Sequence, residues 1–313
     1  MRQTSAGVGL PGFESRPPHH AMLFLRSSAM ERYSFTPRRG VVITPKTAEL
    51  LLASQGCLQV PVNFGLKTIT ACVNPPRSEL LLEHGRIEVA TEVLARLVGS
   101  DKLLYAGPEG AYFLEVRERS YYKLRYLGEK VAPTLEINGI HMHNIVGTDP
   151  LSDARRKVEL AGVRRGARVL DVCTGLGYTA CQSLLRGASV VTVERDENVL
   201  WIAEHNPFSA LLERAEIILG DAFEVLDQLE GESFDNVIHD PPTFALAGEL
   251  YSLEFYLKLH RVMRKGARIF HYTGAPGKHR GLNLAKGVAQ RLRRAGFTVE
   301  RVIEGYGIVA VKN

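Results

Sequence analysis

No apolar run in this chain reaches the roughly 20 residues that a bilayer-spanning helix needs, which excludes a helical membrane span. Cysteine is scarce. The four present (Cys57, Cys72, Cys173 and Cys181) make no C-x-x-C pair and have no histidine at metal-ligand spacing. That argues against a zinc site or a disulfide framework and predicts free, buried thiols in a reducing cytosol. A convincing secretory leader is also missing: residues 1–29 hold Arg, Pro, His and Gly around one short apolar run, Ala21–Leu25, with no clear cleavage site after it. They are expected to be a disordered tail, or to precede a true start at Met22 or Met30.

What is present is a chain of 313 residues with 45% apolar content, long enough for a well-buried core and, by length, for two domains. The net charge of +5 and pI near 9.0 permit an acidic partner such as RNA without selecting one.

One stretch organises the rest: Arg168-Val-Leu-Asp171-Val-Cys-Thr174-Gly175-Leu-Gly177-Tyr178-Thr-Ala180. A buried strand, a glycine turn and the start of a helix follow one another, so backbone N–H groups face whatever sits above the strand end. The next strand, Ala188–Glu194, ends in a carboxylate nineteen positions after Gly175, about where one must sit to bind both ribose hydroxyls of an adenosine. By itself Gly175-Leu-Gly177-Tyr-Thr-Ala180 also satisfies the G-x-G-x-x-[G/A] pattern of nicotinamide and flavin enzymes. Two further strand ends carry acids: Asp221, followed by Ala222, and Asp240 in Asp240-Pro241-Pro-Thr-Phe244.

Taken together these residues resemble the class I S-adenosylmethionine (SAM) methyltransferases, over roughly residues 145–313. From 149 onward strand and helix patterns alternate, as in a parallel sheet with helices on both faces. Helix Asp149–Ala161 starts on an Asp-Pro cap, strands are expected at 168–172, 188–193, 215–219, 234–239 and 267–272, and helices at 249–263 and 283–295. The last two strands, Phe297–Ile303 and Gly307–Val311, are joined by a link too short for a parallel crossover, so they form a hairpin and the last strand runs antiparallel. The fold class is therefore α/β: a seven-stranded Rossmann-like methyltransferase sheet with an antiparallel last strand, plus a small N-terminal α+β domain. The domain division reads as a tail over 1–29, the small domain over 30–130 and the SAM-binding domain over 131–313.

The N-terminal part alternates short apolar runs with Gly and Pro, giving strands near 40–43, 58–62, 66–73 and 111–116 and helices at Thr47–Ser54 and Val89–Val98. Arg117, Arg119, Lys123 and Arg125, interleaved with Tyr121, Tyr122 and Tyr126, are either a base-stacking, phosphate-binding surface or a charged strand face beside interface aromatics. His141 and His143 fall on one face of a strand that directly precedes the cofactor domain. They are read as substrate- or cofactor-closing residues rather than metal ligands.

The resemblance implies site roles. Asp171 accepts from the amino group of the methionine moiety, directly or through water, and Thr174, Gly175, Gly177 and Tyr178 form the cofactor turn. Glu194 holds the ribose, Asp221 and Ala222 flank the adenine, and His239, which ends the strand before the motif, is counted among the cofactor-binding residues. In methyltransferases that act on planar nitrogen, the Asp and first Pro carbonyl of a [D/N]-P-P-aromatic motif accept from the target amine. Asp240, Pro241 and Phe244 match it, with Thr243 placing the ring one residue late. That spacing is more similar to the D-P-P-x-F of bacterial ribosomal RNA methyltransferases acting on cytosine carbon or guanine N7. The next strand end, Phe270-His271-Tyr272-Thr-Gly274, offers no cysteine nucleophile, which disfavours carbon methylation. His271 or Tyr272 serves as base or substrate ligand, and Tyr251 lines the pocket. Over most of residues 130–313 the chain also resembles a predicted archaeal methyltransferase family with no established substrate.

The leading expectation is methylation of an RNA nitrogen in the cytosol. The alternatives are methyl or aminopropyl transfer to a small amine, as in spermidine-synthase-like enzymes, a catalytically silent SAM-fold module, and, least favoured, a nicotinamide oxidoreductase. Arginine clusters at 155–157, 164–165, 261–268, 278–280 and 291–294 do not decide between RNA and a solvated surface.

Overall fold

The computed structural model describes residues 30–274 and 284–313; the expected tail over 1–29 and the basic cluster at 278–280 lie outside them. From the N-terminal end the elements are β1 (Glu31–Tyr33), β2 (Val41–Ile43), α1 (Pro45–Leu52), β3 (Gly56–Val62), β4 (Lys67–Asn74), β5 (Arg77–Leu82), β6 (Gly85–Ala90) and α2 (Thr91–Ala95). There follow β7 (Leu104–Gly107), β8 (Gly110–Phe113), β9 (Glu115–Arg117), β10 (Tyr121–Arg125), β11 (Thr134–Ile137), β12 (Ile140–His141) and α3 (Pro150–Ala161). The C-terminal half runs β13 (Arg168–Val172), α4 (Tyr178–Leu185), β14 (Ser189–Glu194), α5 (Glu197–Glu204), β15 (Glu216–Leu219), α6 (Ala222–Gln228), β16 (Phe234–His239) and α7 (Leu253–Val262). It closes with β17 (Met263–Tyr272), α8 (Leu284–Arg294), β18 (Phe297–Ile303) and β19 (Gly307–Lys312).

The large sheet has the order β1-β15-β14-β13-β16-β17-β19-β18. Strands β15, β14, β13, β16 and β17 pair in parallel, and β19 enters antiparallel between β17 and β18. The expected seven strands are joined by an eighth: β1, from the N-terminal part, pairs antiparallel with β15 through Arg32↔Ile218. Side-chain alternation divides the core. Val169, Val190, Ile217 and Ile238 pack on the face covered by α3, α4 and α5, while Leu170, Val172, Val191 and Val237 pack on the face covered by α6, α7 and α8.

The N-terminal part builds three smaller antiparallel sheets, β3-β4-β5-β6, β2-β7-β8 and β9-β10-β11-β12. Several local expectations are corrected there. Val89 lies in β6, not at the head of a helix over 89–98, because its run pairs with β5 and only Thr91–Ala95 turns helical. The strand expected over 111–116 breaks at Leu114 into β8 and β9. Cys57 and Cys72 are not free thiols: the β3–β4 register sets them opposite each other and they form a disulfide, leaving Cys173 and Cys181 free.

The Arg/Lys/Tyr segment is largely spent within the fold. Lys123 Nζ lies 3.1 Å from Asp101 Oδ1 and 3.3 Å from Glu136 Oε1, Arg125 pairs with Glu136 at 2.9 Å, and the Tyr122 hydroxyl donates to Asp196. Tyr122, Lys123 and Arg125 thus form the charged strand face beside aromatics, whereas Arg117 and Arg119 stay exposed, Arg117 4.5 Å over the Tyr121 ring. The expected helix over 249–263 is also interrupted. A short 3-10 turn, Gly248–Tyr251, precedes α7, whose N-cap Ser252 accepts from Phe255 N.

Candidate active site

After Val172 the backbone leaves β13 through three left-handed residues, Cys173 (φ +71°), Gly175 (φ +56°) and Gly177 (φ +71°). Gly177 is required twice, because a Cβ there would also stand 2.3 Å from Leu212 Cδ1. A Cβ on Gly175 would meet nothing within 4 Å. It would project into a cavity of about 330 Å³ above the carboxyl ends of β13, β14 and β16, where open α/β sheets bind ligands.

The carboxylates hold the loops around this cavity. Glu194 accepts from Gly175 N at 2.9 Å and from the backbone N–H groups of Arg195 and Asp196, so it ties the glycine turn to the end of β14. Burial pushes its pKa up, against those three donors. Asp221 lines the cavity and also caps α6, accepting from Phe223 N at 2.8 Å. Asp171 is wholly buried beneath the turn and accepts from Thr179 Oγ1 at 2.7 Å and Thr192 Oγ1 at 2.8 Å. Burial raises its pKa to about 7 although both hydroxyls favour the anion.

Asp240 follows β16 and opens onto the same cavity with Pro241 and Pro242. Its Oδ2 lies 2.6 Å from Lys157 Nζ, and that ammonium is 2.8 Å from Asp153 Oδ2. Burial works against the charge of Lys157, but Asp240 and Asp153 outweigh it and raise the lysine pKa. The Tyr251 hydroxyl donates to the Pro242 carbonyl at 2.8 Å, fixing the loop from beneath. Phe244 is 52% exposed and sits edge-on to Tyr251 with ring centroids 5.5 Å apart.

Thr174, Gly175, Tyr178, Glu194, Asp221, Ala222, Asp240, Pro241 and His143 therefore share one cavity. Other residues singled out from the sequence stand elsewhere. His239 and His271 are fully buried. His239 pairs in register with Val172 and His271 with His239, so all three project onto the α6–α8 face, away from the cavity. There His239 Nε2 meets the Leu250 carbonyl at 2.9 Å and His271 Nε2 meets Tyr256 Oη at 2.9 Å. Burial pushes His239 down to about 4 and His271 well below the usual imidazole value, so both are neutral. Tyr251 and Tyr272 are neighbours of the cavity residues, Tyr272 through the Lys157 ammonium 4.1 Å from its ring centroid.

His141 and His143 part company because β12 ends at Ile140–His141. His141 joins Glu136 at 3.3 Å in the N-terminal sheet, whereas His143 turns to the cavity, with its ring 5.0 Å from Tyr178 and Nδ1 2.9 Å from Thr134 Oγ1. Burial lowers the His143 pKa to about 3. Leu135, Ile137 and Met142, in the segment expected to close over the cofactor or substrate, form a wall of the cavity, and Lys157 and Asp153 join the site without a signal in the sequence. The i,i+4 spacing of Asp153 and Lys157 marks an ion pair, but not its third member.

The strand order with an antiparallel β19, the glycine turn and the acids at successive strand ends together define a class I SAM-dependent methyltransferase. Residues 139–279 match the family described as conserved hypothetical protein 95. An uncharacterized protein of Methanocaldococcus jannaschii is 41% identical over 278 residues, spanning 86% of this chain and 95% of that protein. The chain belongs to the family of that archaeal protein, within the SAM-dependent methyltransferases. A candidate ribosomal RNA large subunit methyltransferase of M. jannaschii is 37% identical over 112 residues, 34% of this chain and 29% of that protein. A solved spermidine synthase in complex with the transition-state analogue AdoDATO is 15% identical, covering 63% of this chain and 72% of its own with a TM-score of 0.49.

Proposed function

We propose that this methyltransferase transfers the methyl group of SAM to a nitrogen of an RNA base in the cytosol. The observation that carries the reading is Asp240, an ion-paired carboxylate at the end of β16 that opens onto the cavity beside Pro241. The partial likeness to a protein named as a ribosomal RNA methyltransferase supports RNA as the substrate class.

The residues fit SAM. Gly175 leaves free the volume a Cβ would fill, and the cavity lining is acidic: Asp153, Glu194, Asp196, Asp221, Asp240 and Glu249 stand against Lys157 and Arg195 among the described residues. Such a lining suits a cofactor bearing a sulfonium and an ammonium. Glu194 would hold the ribose hydroxyls, Asp221 and Ala222 the adenine edge, and Asp171 the amino group, directly or through water. When bound, SAM supplies a methyl carbon already activated by its sulfonium, so the nitrogen lone pair forms the new bond as the carbon–sulfur pair returns to sulfur. Asp240 and the Pro241 carbonyl orient the amine by accepting its N–H groups, and the surplus proton passes from nitrogen to solvent after transfer.

The same acidity disfavours phosphate inside the cavity, so the base enters unstacked while the sugar–phosphate backbone stays outside. Residues 30–130 are assigned to presenting that strand, with 131–313 as the cofactor-binding unit. A second reading, transfer to a small amine, is favoured by the acidic lining near Asp240. Purified protein free of nucleic acid, given SAM with a labelled methyl group and total RNA from cells of its source lacking the gene, is expected to label one RNA species. Label appearing only in a polyamine fraction overturns the RNA assignment.

A further inference from the structure

Lys157 belongs to α3, before the cofactor strand, yet it reaches the Asp240 motif 83 residues later in the chain. Its side chain is 5% exposed. A buried ammonium is costly unless charges and hydrogen bonds surround it, and here two carboxylates and the face of Tyr272 do so. Asp153 is itself anchored: its Oδ1 accepts from the Tyr306 hydroxyl at 2.9 Å, in the turn between β18 and β19. The site thus draws on α3, on the ends of β16 and β17, and on the terminal hairpin. A surface ion pair needs none of that support.

The geometry points to Lys157 as the positioning residue of the transfer step: its ammonium pairs with Asp240 Oδ2 and so leaves Oδ1 to accept from the substrate amine. The assignment rests on the reading of Asp240 given above. It makes Asp240 an oriented acceptor rather than a general base, and it favours a neutral amine donor, such as that of a nucleobase, over a second ammonium competing for the same carboxylate. The other titratable groups around Asp240 are Asp171 and Cys173 at the end of β13, Asp153 on α3, Tyr251 before α7, Tyr272 on β17 and Tyr306 in the terminal turn.

Two readouts test it. In the full-length protein, the Asp240 side-chain carboxyl is followed by carbon-13 NMR against pH, with D240N supplying the assignment. K157M is expected to move its titration up by roughly one pH unit or more, and K157R to restore it. An unchanged titration in K157M overturns the proposal whatever the methyl acceptor proves to be. With the RNA substrate, K157M is expected to lower kcat about 100-fold and to add an acid limb to the pH–rate profile, while KM for SAM stays within threefold. Equal loss of SAM binding and transfer assigns Lys157 to structure and overturns the positioning role. If K157M does not fold, D153N/K157M removes one stranded charge together with the lysine and is titrated against D153N alone, with an upward shift expected between the two. Failure of wild type to label RNA, with the carboxyl shift present, rejects the RNA reading alone.

Discussion

The Tyr178 hydroxyl donates a 2.7 Å hydrogen bond to the Pro133 carbonyl, tying the first turn of α4 to the segment that enters β11. The same oxygen accepts from Asn206 Nδ2 at 2.9 Å, so one phenol joins the glycine turn, the segment after α5 and the N-terminal wall of the cavity. Y178F leaves a buried carbonyl and a buried amide each short of a partner. It is expected to cost about 1–3 kcal/mol of stability, read as a lower urea midpoint with an unchanged slope.

Gly175 and Gly177 are expected to fail in different ways. Alanine at 177 combines a left-handed backbone with a collision against Leu212, so G177A is expected to lose roughly 2–4 kcal/mol in chemical denaturation. Alanine at 175 meets no protein atom and carries only the strain of the left-handed backbone, so G175A is expected to lose about 1–2 kcal/mol, less than G177A, and to weaken SAM binding at least tenfold by calorimetry. The reverse pattern would remove Gly175 from the cofactor site.

Asp171 predicts a pH dependence of known sign. Its folded pKa of about 7 lies above the unfolded carboxyl value, so the native state binds the extra proton. The stability this contributes is fully present below about pH 4 and is lost as pH rises through 7, up to roughly 4 kcal/mol. D171N is expected to flatten that decline in denaturation curves taken from pH 4 to 8. Binding runs the other way, because an ammonium favours the anion: SAM affinity should weaken below pH 7, approaching about tenfold per pH unit, with proton release visible as a buffer-dependent binding enthalpy.

D240A is expected to reduce methyl transfer by about 100-fold or more while SAM affinity stays within several-fold of wild type. Single-turnover transfer and calorimetry on the same preparation check both halves. Loss of SAM binding would place Asp240 with the cofactor instead.

The cofactor turn and the alternation after residue 149 were legible because both are local: glycine supplies backbone conformations that few residues adopt, and period carries the elements. The terminal hairpin was legible too, since Glu304–Tyr306 is too short for any crossover. What sequence could not supply were partners distant along the chain. Lys157 gains its meaning from a residue 83 positions away, and Cys57 meets Cys72 only through the β3–β4 register. The histidines failed for a different reason. His239 and His271 stand at the right height on the sheet but on the wrong side-chain parity, one residue from Asp240 and Tyr272, so they face α7 rather than the cavity. His141 and His143 have matching parity, yet β12 ends before His143, and the change of backbone sends one ring to the N-terminal sheet and the other to the cavity.

Strand β19 lies between β17 and β18 and ends at Lys312. During vectorial synthesis, the parallel strands that carry Asp171, Glu194 and Asp240 emerge long before the strand that fills this gap. Until residue 312 has left the ribosome, β17 presents an unpaired edge and the last pair of strands cannot assemble. The sheet therefore stays open at β17 until its latest strand in chain order has emerged, whichever of the parallel strands folds first.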